Sequence, residues 1–277
     1  MKRARFALPA LLAGLACGRA PVLEDYSYRR GFSGEAGLKT EITYVAGRLE
    51  LGPAPENTLF DLALRYDPDR FRPIGEFAGG SVKLGTQTLR EGGVRLGRGS
   101  RPQTARIGLG PRPDLDLEIT LGAAEARLEL GGLRLTRFRL ISGASRSEIS
   151  FETPNPGRCE SVRVSSGAGE VRFEQAGNSG CPAWSIDGGV GRVTVDLAGA
   201  WPADPRFTMN LAVGGAVLLV PRDLGVRVRM TGLVARFDGE GFESSGKTWT
   251  SAGFDRATRK VTAEISSAVG GVRVEWK

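Results

Sequence analysis

Short alternations of apolar and polar residues, separated by small residues, run through most of the chain. Val162-Arg-Val164 leads through Gly167 and Gly169 into Val171-Arg-Phe173, and Ser185-Ile186 leads through Gly189 and Gly191 into Val193-Thr-Val195. A period of two puts alternate side chains on opposite faces, so each half of the unit predicts a short strand with one buried face. Further copies run from Met209 and Leu211 through Gly214 and Gly215 into Val217, from Val228 and Met230 through Gly232 into Phe237, and from Ala263 and Ile265 through Gly270 and Gly271 into Val272-Arg-Val274. Earlier copies lead from Leu117 and Ile119 through Gly122 into Leu128, and from Phe138 and Leu140 through Gly143 into Ile149.

The equivalent core positions are then Leu128, Ile149, Phe173, Val195, Leu219 and Phe237, at steps of 21, 24, 22, 24 and 18, with Val274 following 37 residues later across an insertion. A step near 22 residues with two or three short strands per unit predicts one turn of a β-solenoid, in which each coil buries its apolar face by stacking on the next. Glycine at the corners supplies positive φ or close backbone approach. An antiparallel sandwich with evenly spaced hairpins would give the same alternation, and periodicity alone leaves both open.

The stretch before Leu117 is less periodic. Glu41 to Leu51 and Asp61 to Tyr66 predict strands, followed by a turn at Asp67-Pro-Asp69 and Gly- and Arg-rich loops around 79–80 and 92–101. The expected layout is a signal peptide over 1–16, a tether over 17–37, an N-terminal β region over 38–114 that caps the stack, and the repeat solenoid over 115–277. If the last coil is uncapped, Val272-Arg-Val274 at its edge is free to pair with another chain.

The N-terminus predicts the compartment. Lys2, Arg3 and Arg5 precede an apolar run from Phe6 to Ala16 that closes on Gly14-Leu15-Ala16-Cys17. That run is shorter than the roughly 20 residues a membrane span needs, and small residues before the cysteine suit a signal peptidase. The ending resembles a bacterial lipoprotein signal, with Gly14 where leucine is usual. The resemblance implies that Cys17 becomes an acylated N-terminus; ordinary cleavage with a free Cys17 thiol is the alternative.

Two other cysteines remain, Cys159 and Cys181, 22 residues apart. An even count in an oxidising compartment predicts a disulfide. One repeat of separation would place the pair about 4.8 Å apart on successive coils, within disulfide reach.

Charge and chemistry narrow the function classes. The formal charge is +7, and loss of Lys2, Arg3 and Arg5 with the signal leaves 7 − 3 = +4. Arginine outnumbers lysine 32 to 6 without a clustered basic helix, which argues against nucleic acid as a partner. The chain has no histidine, which excludes Ser-His-Asp and Cys-His nucleophile pairs and the usual zinc and copper sites. No cofactor or metal site is expected. The best carboxylate set is Asp114, Asp116 and Glu118, whose strand spacing suits glycosidase acid/base work but also suits the wet face of a strand. Asp67, Asp69 and Asp238-Gly-Glu-Gly241 read as turn chemistry.

Arg127, Arg172, Arg236 and Arg273 recur between paired apolar residues, a candidate basic face for anionic envelope polymers or lipid headgroups, interrupted by Glu148, Thr194 and Leu218. Trp184, Trp201, Trp249 and Trp276 are candidates for a sugar-stacking surface or, more ordinarily, seals of the core.

The ordered elements Leu128-Glu-Leu-Gly-Gly-Leu133, Leu140-Ile-Ser-Gly-Ala-Ser145, Phe151-Glu-Thr-Pro-Asn155, Val164-Ser-Ser-Gly-Ala-Gly169 and Val220-Pro-Arg-Asp-Leu-Gly-Val-Arg-Val228 resemble the bacterial toast-rack family over roughly Thr40 to Lys277. That family is similar to the C-terminal β domain of LiaF-type cell-wall-antibiotic response proteins. The resemblance implies an all-β, right-handed single-stranded β-helix of roughly 20–24-residue glycine-cornered coils with an N-terminal β cap, in the bacterial envelope, and brings no catalytic residues with it. Ala124 and Ser145 depart from the pattern at corner positions. The function expected is a non-catalytic, membrane-anchored envelope lipoprotein used for interaction, adhesion or stress sensing, with other envelope proteins or anionic polymers as partners. The alternative is a carboxylate-dependent enzyme on envelope polysaccharide, which would need those acids to converge in a cleft.

Overall fold

The structure, a computed structural model, describes residues 22–89, 103–232 and 234–277. A first strand, β1 (Glu24–Gly31), precedes the long β2 (Gly37–Pro53). Shorter strands follow: β3 (Thr58–Tyr66), β4 (Phe71–Ala78), β5 (Ser81–Thr88) and β6 (Thr104–Leu109). Five strands of 14–16 residues come next: β7 (Asp114–Glu129), β8 (Leu135–Ser150), β9 (Ser161–Glu174), β10 (Ala183–Asp196) and β11 (Arg206–Val220). The chain ends with β12 (Leu224–Thr231), β13 (Val234–Asp238), β14 (Phe242–Ser245), β15 (Thr248–Ser251) and the long β16 (Arg259–Trp276).

The long strands are coils, not straight rods. β7 and β8 run parallel with Leu115 beside Leu135, yet only residues 130–134 link them. A straight 16-residue strand would span about 50 Å, while a five-residue link reaches only about 20 Å. Each long strand therefore bends back midway and returns near its start. The bend is a column of small residues in register across the stack: Gly47, Ala124, Ser145, Gly169, Gly191, Gly214 and Gly270. At Gly214 φ is +131°, and an added Cβ would overlap the carbonyl oxygen of Gly191 on the adjacent coil. Ala124 and Ser145 fit the same column because their φ is not positive, and the β7–β8 ladder lapses there between Leu121–Ser142 and Glu125–Arg146.

Before and after the bend, alternate residues turn inward: Val162 and Val164, then Val171 and Phe173, in β9. The two arms of each coil face one another across a single layer of side chains. Phe173, after the bend in β9, meets the Trp184 ring, before the bend in β10, edge-on at 5.0 Å. On the open side, short loops close each coil, and two amides, the half-buried Asn155 and the buried Asn178, join them. Asn155 accepts from the N–H of Leu135 and donates to the carbonyls of Leu135 and Ser179, while Asn178 donates to the Phe151 carbonyl and accepts from the Ala200 N–H. Cys159 and Cys181, on successive coils, are bonded with their Cα atoms 4.7 Å apart.

The register corrects the core column in two places. Phe237 pairs with Val272 and so stands level with Ala216, two residues short of the level of Val274. Leu128, Ile149, Phe173 and Val195 are successive partners, but Val195 pairs with Leu218 and not Leu219. Leu218 is buried and pairs with Val274. The bend changes which parity faces inward, from Ile186 to Val193 in β10 and likewise from Met209 to Ala216 in β11, so Leu218 and not Leu219 continues the core.

The order of strands also departs from sequence order. Strand β16 lies between β11 on one side and β12 and β13 on the other. Val272-Arg-Val274 is therefore interior, and the edge pairing expected of it does not arise. Lys277 fastens this insertion, its ammonium 2.9 Å from the buried carboxylate of Asp196 and its N–H on the Val220 carbonyl. The outer coil is β12 plus β13, extended by β15 and β14, and closed by the rings of Phe237, Phe242, Trp249 and Trp276.

At the other end β2 is itself a full coil, paired with β7 from Gly37–Asp114 to Leu51–Leu128. Its first arm is extended by β5 and β4, and its second by β6, β3 and β1. The tether expected over 17–37 falls partly outside the described residues. Over Glu24–Gly31 it is strand, because Tyr26 and Tyr28 pack partly buried onto the cap and β1 pairs with β3. Cys17 and the 1–16 segment lie outside the described residues.

Candidate interaction surfaces

Stacking places residues one coil apart about 4.8 Å from each other, so outward side chains form columns. On the first arms, Lys39, Asp116 and Arg137 share one column and Glu41, Glu118, Arg139 and Arg163 the next. Asp116 binds the Arg137 guanidinium at 2.6 Å, Asp114 binds Arg134 at 2.9 Å, and Glu118 lies 4.0 Å from Arg139. The carboxylate beside it raises the Arg137 pKa through that hydrogen bond. In the next coil the Lys39 ammonium, hydrogen-bonded to Glu41 at 2.7 Å, holds that carboxyl below its usual range. The three acids singled out in the sequence thus splay over a solvent face, each spent on a neighbouring arginine, and do not converge.

The second arms carry a charge checkerboard. The column Arg48, Glu125, Arg146, Glu170 runs beside the column Glu50, Arg127, Glu148, Arg172 in opposite phase. Arg48 meets Glu125 at 3.5 Å, Arg146 meets Glu170 at 3.4 Å, Arg127 meets Glu148 at 3.3 Å and Arg106 meets Glu50 at 3.1 Å. Of the four candidate basic residues, Arg127 and Arg172 flank Glu148. Arg172 also binds Glu174, and Arg273 binds Asp238 at 3.1 Å. Arg236, on β13 beside Gly271, has no ion partner among the described residues. The structure therefore places these arginines in an interleaved face, with Arg127, Arg172 and Arg273 in one column, Arg236 in the column beside it, and Val217 rather than Leu218 among the residues that interrupt the first. The pairing was accessible to sequence reasoning, because Arg127 and Glu148 are 21 residues apart, one coil.

The column of bends and the second-arm face together form an open trough of about 2450 Å³ along the stack. Its wall changes character along its length. The checkerboard occupies β2 to β9. From β10 onward it lapses, and Val190, Val213 and Val269 stand exposed in register at the bends, with Arg192 beside them lacking an ion partner among the described residues.

The tryptophans divide. Trp184 and Trp201 are buried, their indole N–H groups on the carbonyls of Cys181 and Leu197 at 2.9 and 2.8 Å, so they seal the core. Trp249 and Trp276 close the far end. Tyr44, pointing inward at the first coil, keeps a buried hydroxyl without a hydrogen-bond partner among the described residues, and burial drives its phenol pKa upward.

A family model described as the N-terminal domain of toast_rack, DUF2154, matches residues 25–174. No curated protein sequence matches the chain. Among solved structures, the chain is similar to a candidate cell adhesion protein from Clostridium sporogenes, at 15% identity and a TM-score of 0.46, covering 92% of this chain and 100% of that one. It is also similar to a candidate adhesin from Bacteroides fragilis, at 12% identity and a TM-score of 0.41, covering 93% and 100%.

Proposed function

This chain belongs to the toast-rack family, and from that premise we propose that it is a non-catalytic envelope scaffold, held at a membrane by an acylated Cys17 and working through its long outer faces in interaction, adhesion or stress sensing. The observation that carries this reading is the spending of surface acids on arginines of the neighbouring coil, as in Asp116–Arg137 and Glu148–Arg127. General acid/base chemistry needs carboxyls gathered around one reacting point. Here they are spread along columns and neutralised.

The disulfide fits an oxidising, extracytoplasmic compartment. No helix among the described residues is long and apolar enough to cross a membrane, so attachment through the N-terminus supplies what the body does not. The trough offers a partner both signs of charge over β2 to β9 and a valine ridge beyond, a pattern suited to an extended protein or polymer partner more than to a small molecule.

Intact mass of the protein from its native membrane fraction tests the anchor: a diacyl or triacyl increment on a chain beginning at Cys17 is expected, and an unacylated soluble chain contradicts it. Incubation with envelope polysaccharide tests the scaffold reading. No product is expected, whereas turnover abolished by Asp116→Asn or Glu118→Gln would establish the enzyme instead.

A further inference from the structure

An open sheet invites pairing at its edges, and proteins guard them with short strands, proline or charge. Among the described residues four strands have an edge with no partner: β1 and β4 at one end, β13 and β14 at the other. β14 has four residues and β13 five, while β4 carries Pro73 in mid-strand. β1 has neither the shortness nor the proline, and its four charged residues, Glu24, Asp25, Arg29 and Arg30, are two of each sign, so they repel a like edge only in some registers. It is eight residues long, contains no proline, and is paired only with β3. In antiparallel geometry every second residue of β1 turns its N–H and C=O away from β3.

The strand reads Glu24-Asp-Tyr-Ser-Tyr-Arg-Arg30. About Ser27 this is a palindrome with inverted charge: tyrosine mirrors tyrosine, Asp25 mirrors Arg29, and Glu24 mirrors Arg30. The geometry points to a homodimer in which β1 pairs antiparallel with β1 of a second copy, the two-fold axis passing through the Ser27 pair. Asp25 of each copy then lies opposite Arg29 of the other, and Glu24 opposite Arg30, giving two opposite-charge contacts taken twice. A two-fold axis normal to the sheet must pass through a residue pair, so the competing symmetric registers centre on Tyr26 or Tyr28. Neither sets any acid opposite a base, and parallel pairing in register sets like against like.

The faces agree as well. Directly opposed residues of an antiparallel pair lie on the same side of the sheet. Tyr28, stacked near Phe60 at 5.1 Å, and Arg30, with its guanidinium over the Phe77 ring at 4.3 Å, lie on the core side. Arg29, bound to Asp61 through Nε at 2.9 Å, lies on the outer side. Centring on Ser27 pairs core-side Tyr26 with Tyr28 and outer-side Asp25 with Arg29, so the two caps join with their cores on one side. Asp25 has no hydrogen bond or ion partner within its own chain among the described residues. The guanidinium of Arg29 has donors beyond those on Nε and Nη2 that go to Asp61. The result is a C2 dimer in which the second-arm sheet runs unbroken from one stack into the other.

Sedimentation velocity on the full chain over a concentration series tests this, with far-UV circular dichroism to check that each variant is folded. Wild type is expected to show a monomer–dimer equilibrium that weakens with salt. Asp25→Arg alone, or Arg29→Asp alone, sets like charges opposite one another and is expected to weaken dimerisation by about tenfold to a hundredfold. Mixing the two variants restores opposite charges at both positions on every contact, so the mixture is expected to dimerise where each variant alone does not. Wild type that sediments as a monomer throughout overturns the proposal. So does a dimer indifferent to both substitutions, or a mixture of folded variants that stays monomeric.

Discussion

If the stack depends on backbone-to-backbone contact at its bends, one methyl group at a bend should cost far more than one elsewhere. At Gly214 two terms add. Its φ of +131° is one that a side chain adopts only at a cost of about 1–2 kcal/mol. The new Cβ would also overlap the Gly191 carbonyl, which belongs to the adjacent coil and cannot swing aside as a side chain would. Displacing it sacrifices about two ladder hydrogen bonds at about 1 kcal/mol each. Gly214→Ala should therefore lose about 3–4 kcal/mol in urea unfolding. Two other glycines separate the terms. Gly241 has φ +74° with nothing within 4 Å of an added Cβ, so Gly241→Ala should lose only about 1 kcal/mol. Gly253 has φ −93° and equally open space, so Gly253→Ala should be neutral or gain up to about 1 kcal/mol. A loss at Gly214 no larger than at Gly241 would refute the stacking argument.

Replacing both Cys159 and Cys181 by alanine, which opens a loop spanning 22 residues, should cost about 3 kcal/mol, and reductant should produce the same loss in wild type and none in the variant. Asn178→Ala removes a donor to the Phe151 carbonyl and an acceptor for the Ala200 N–H, both at loop positions, and should cost about 2–4 kcal/mol by thermal or urea unfolding. Tyr44→Phe should be neutral or stabilising by up to about 1 kcal/mol at pH 7, since it deletes a buried hydroxyl without a partner among the described residues. Burial raises the Tyr44 pKa in the folded state. The folded protein therefore keeps that proton, and the associated stability is complete below about pH 10 and lost as pH rises beyond it. Melting temperatures from pH 9 to 11 should fall less steeply in Tyr44→Phe than in wild type.

Much of the architecture was legible because a solenoid writes its register into the sequence. Val162, Val164, Val171 and Phe173 alternate as their burial does, and the 22-residue gap between the cysteines is one coil. What the sequence concealed came from events between coils. The change of inward parity at the bend decided that Leu218 and not Leu219 enters the core, and alternation cannot register that when both are leucine. The insertion of β16 between β11 and β12 is a choice among equivalent edges. Val272, Val274, Val226 and Val228 suit either order, and Lys277 on Asp196 identifies the chosen one only once the fold is known. Ala124 and Ser145 looked like defects in the glycine column because strand pairing at a bend is invisible to residue type. The arginines suggested a basic face when read as a single column, whereas Glu125 and Glu170, in the adjacent column of opposite phase, complete the picture only once the register is known.

Every surface described depends on the order of the coils, and the placement of β16 is its least sequential step. Thr208 on β11 and Glu264 on β16 are direct partners on the outer face, and Arg229 on β12 lies one coil further on, beside Glu264. The double variants Thr208→Cys with Glu264→Cys, and Thr208→Cys with Arg229→Cys, can be compared by peptide mass mapping after mild oxidation, since neighbouring coils bring Cα atoms within disulfide reach. The account predicts a cross-link in the first variant and none in the second. A cross-link between 208 and 229 with none between 208 and 264 would place β12 beside β11 and contradict the stack as drawn.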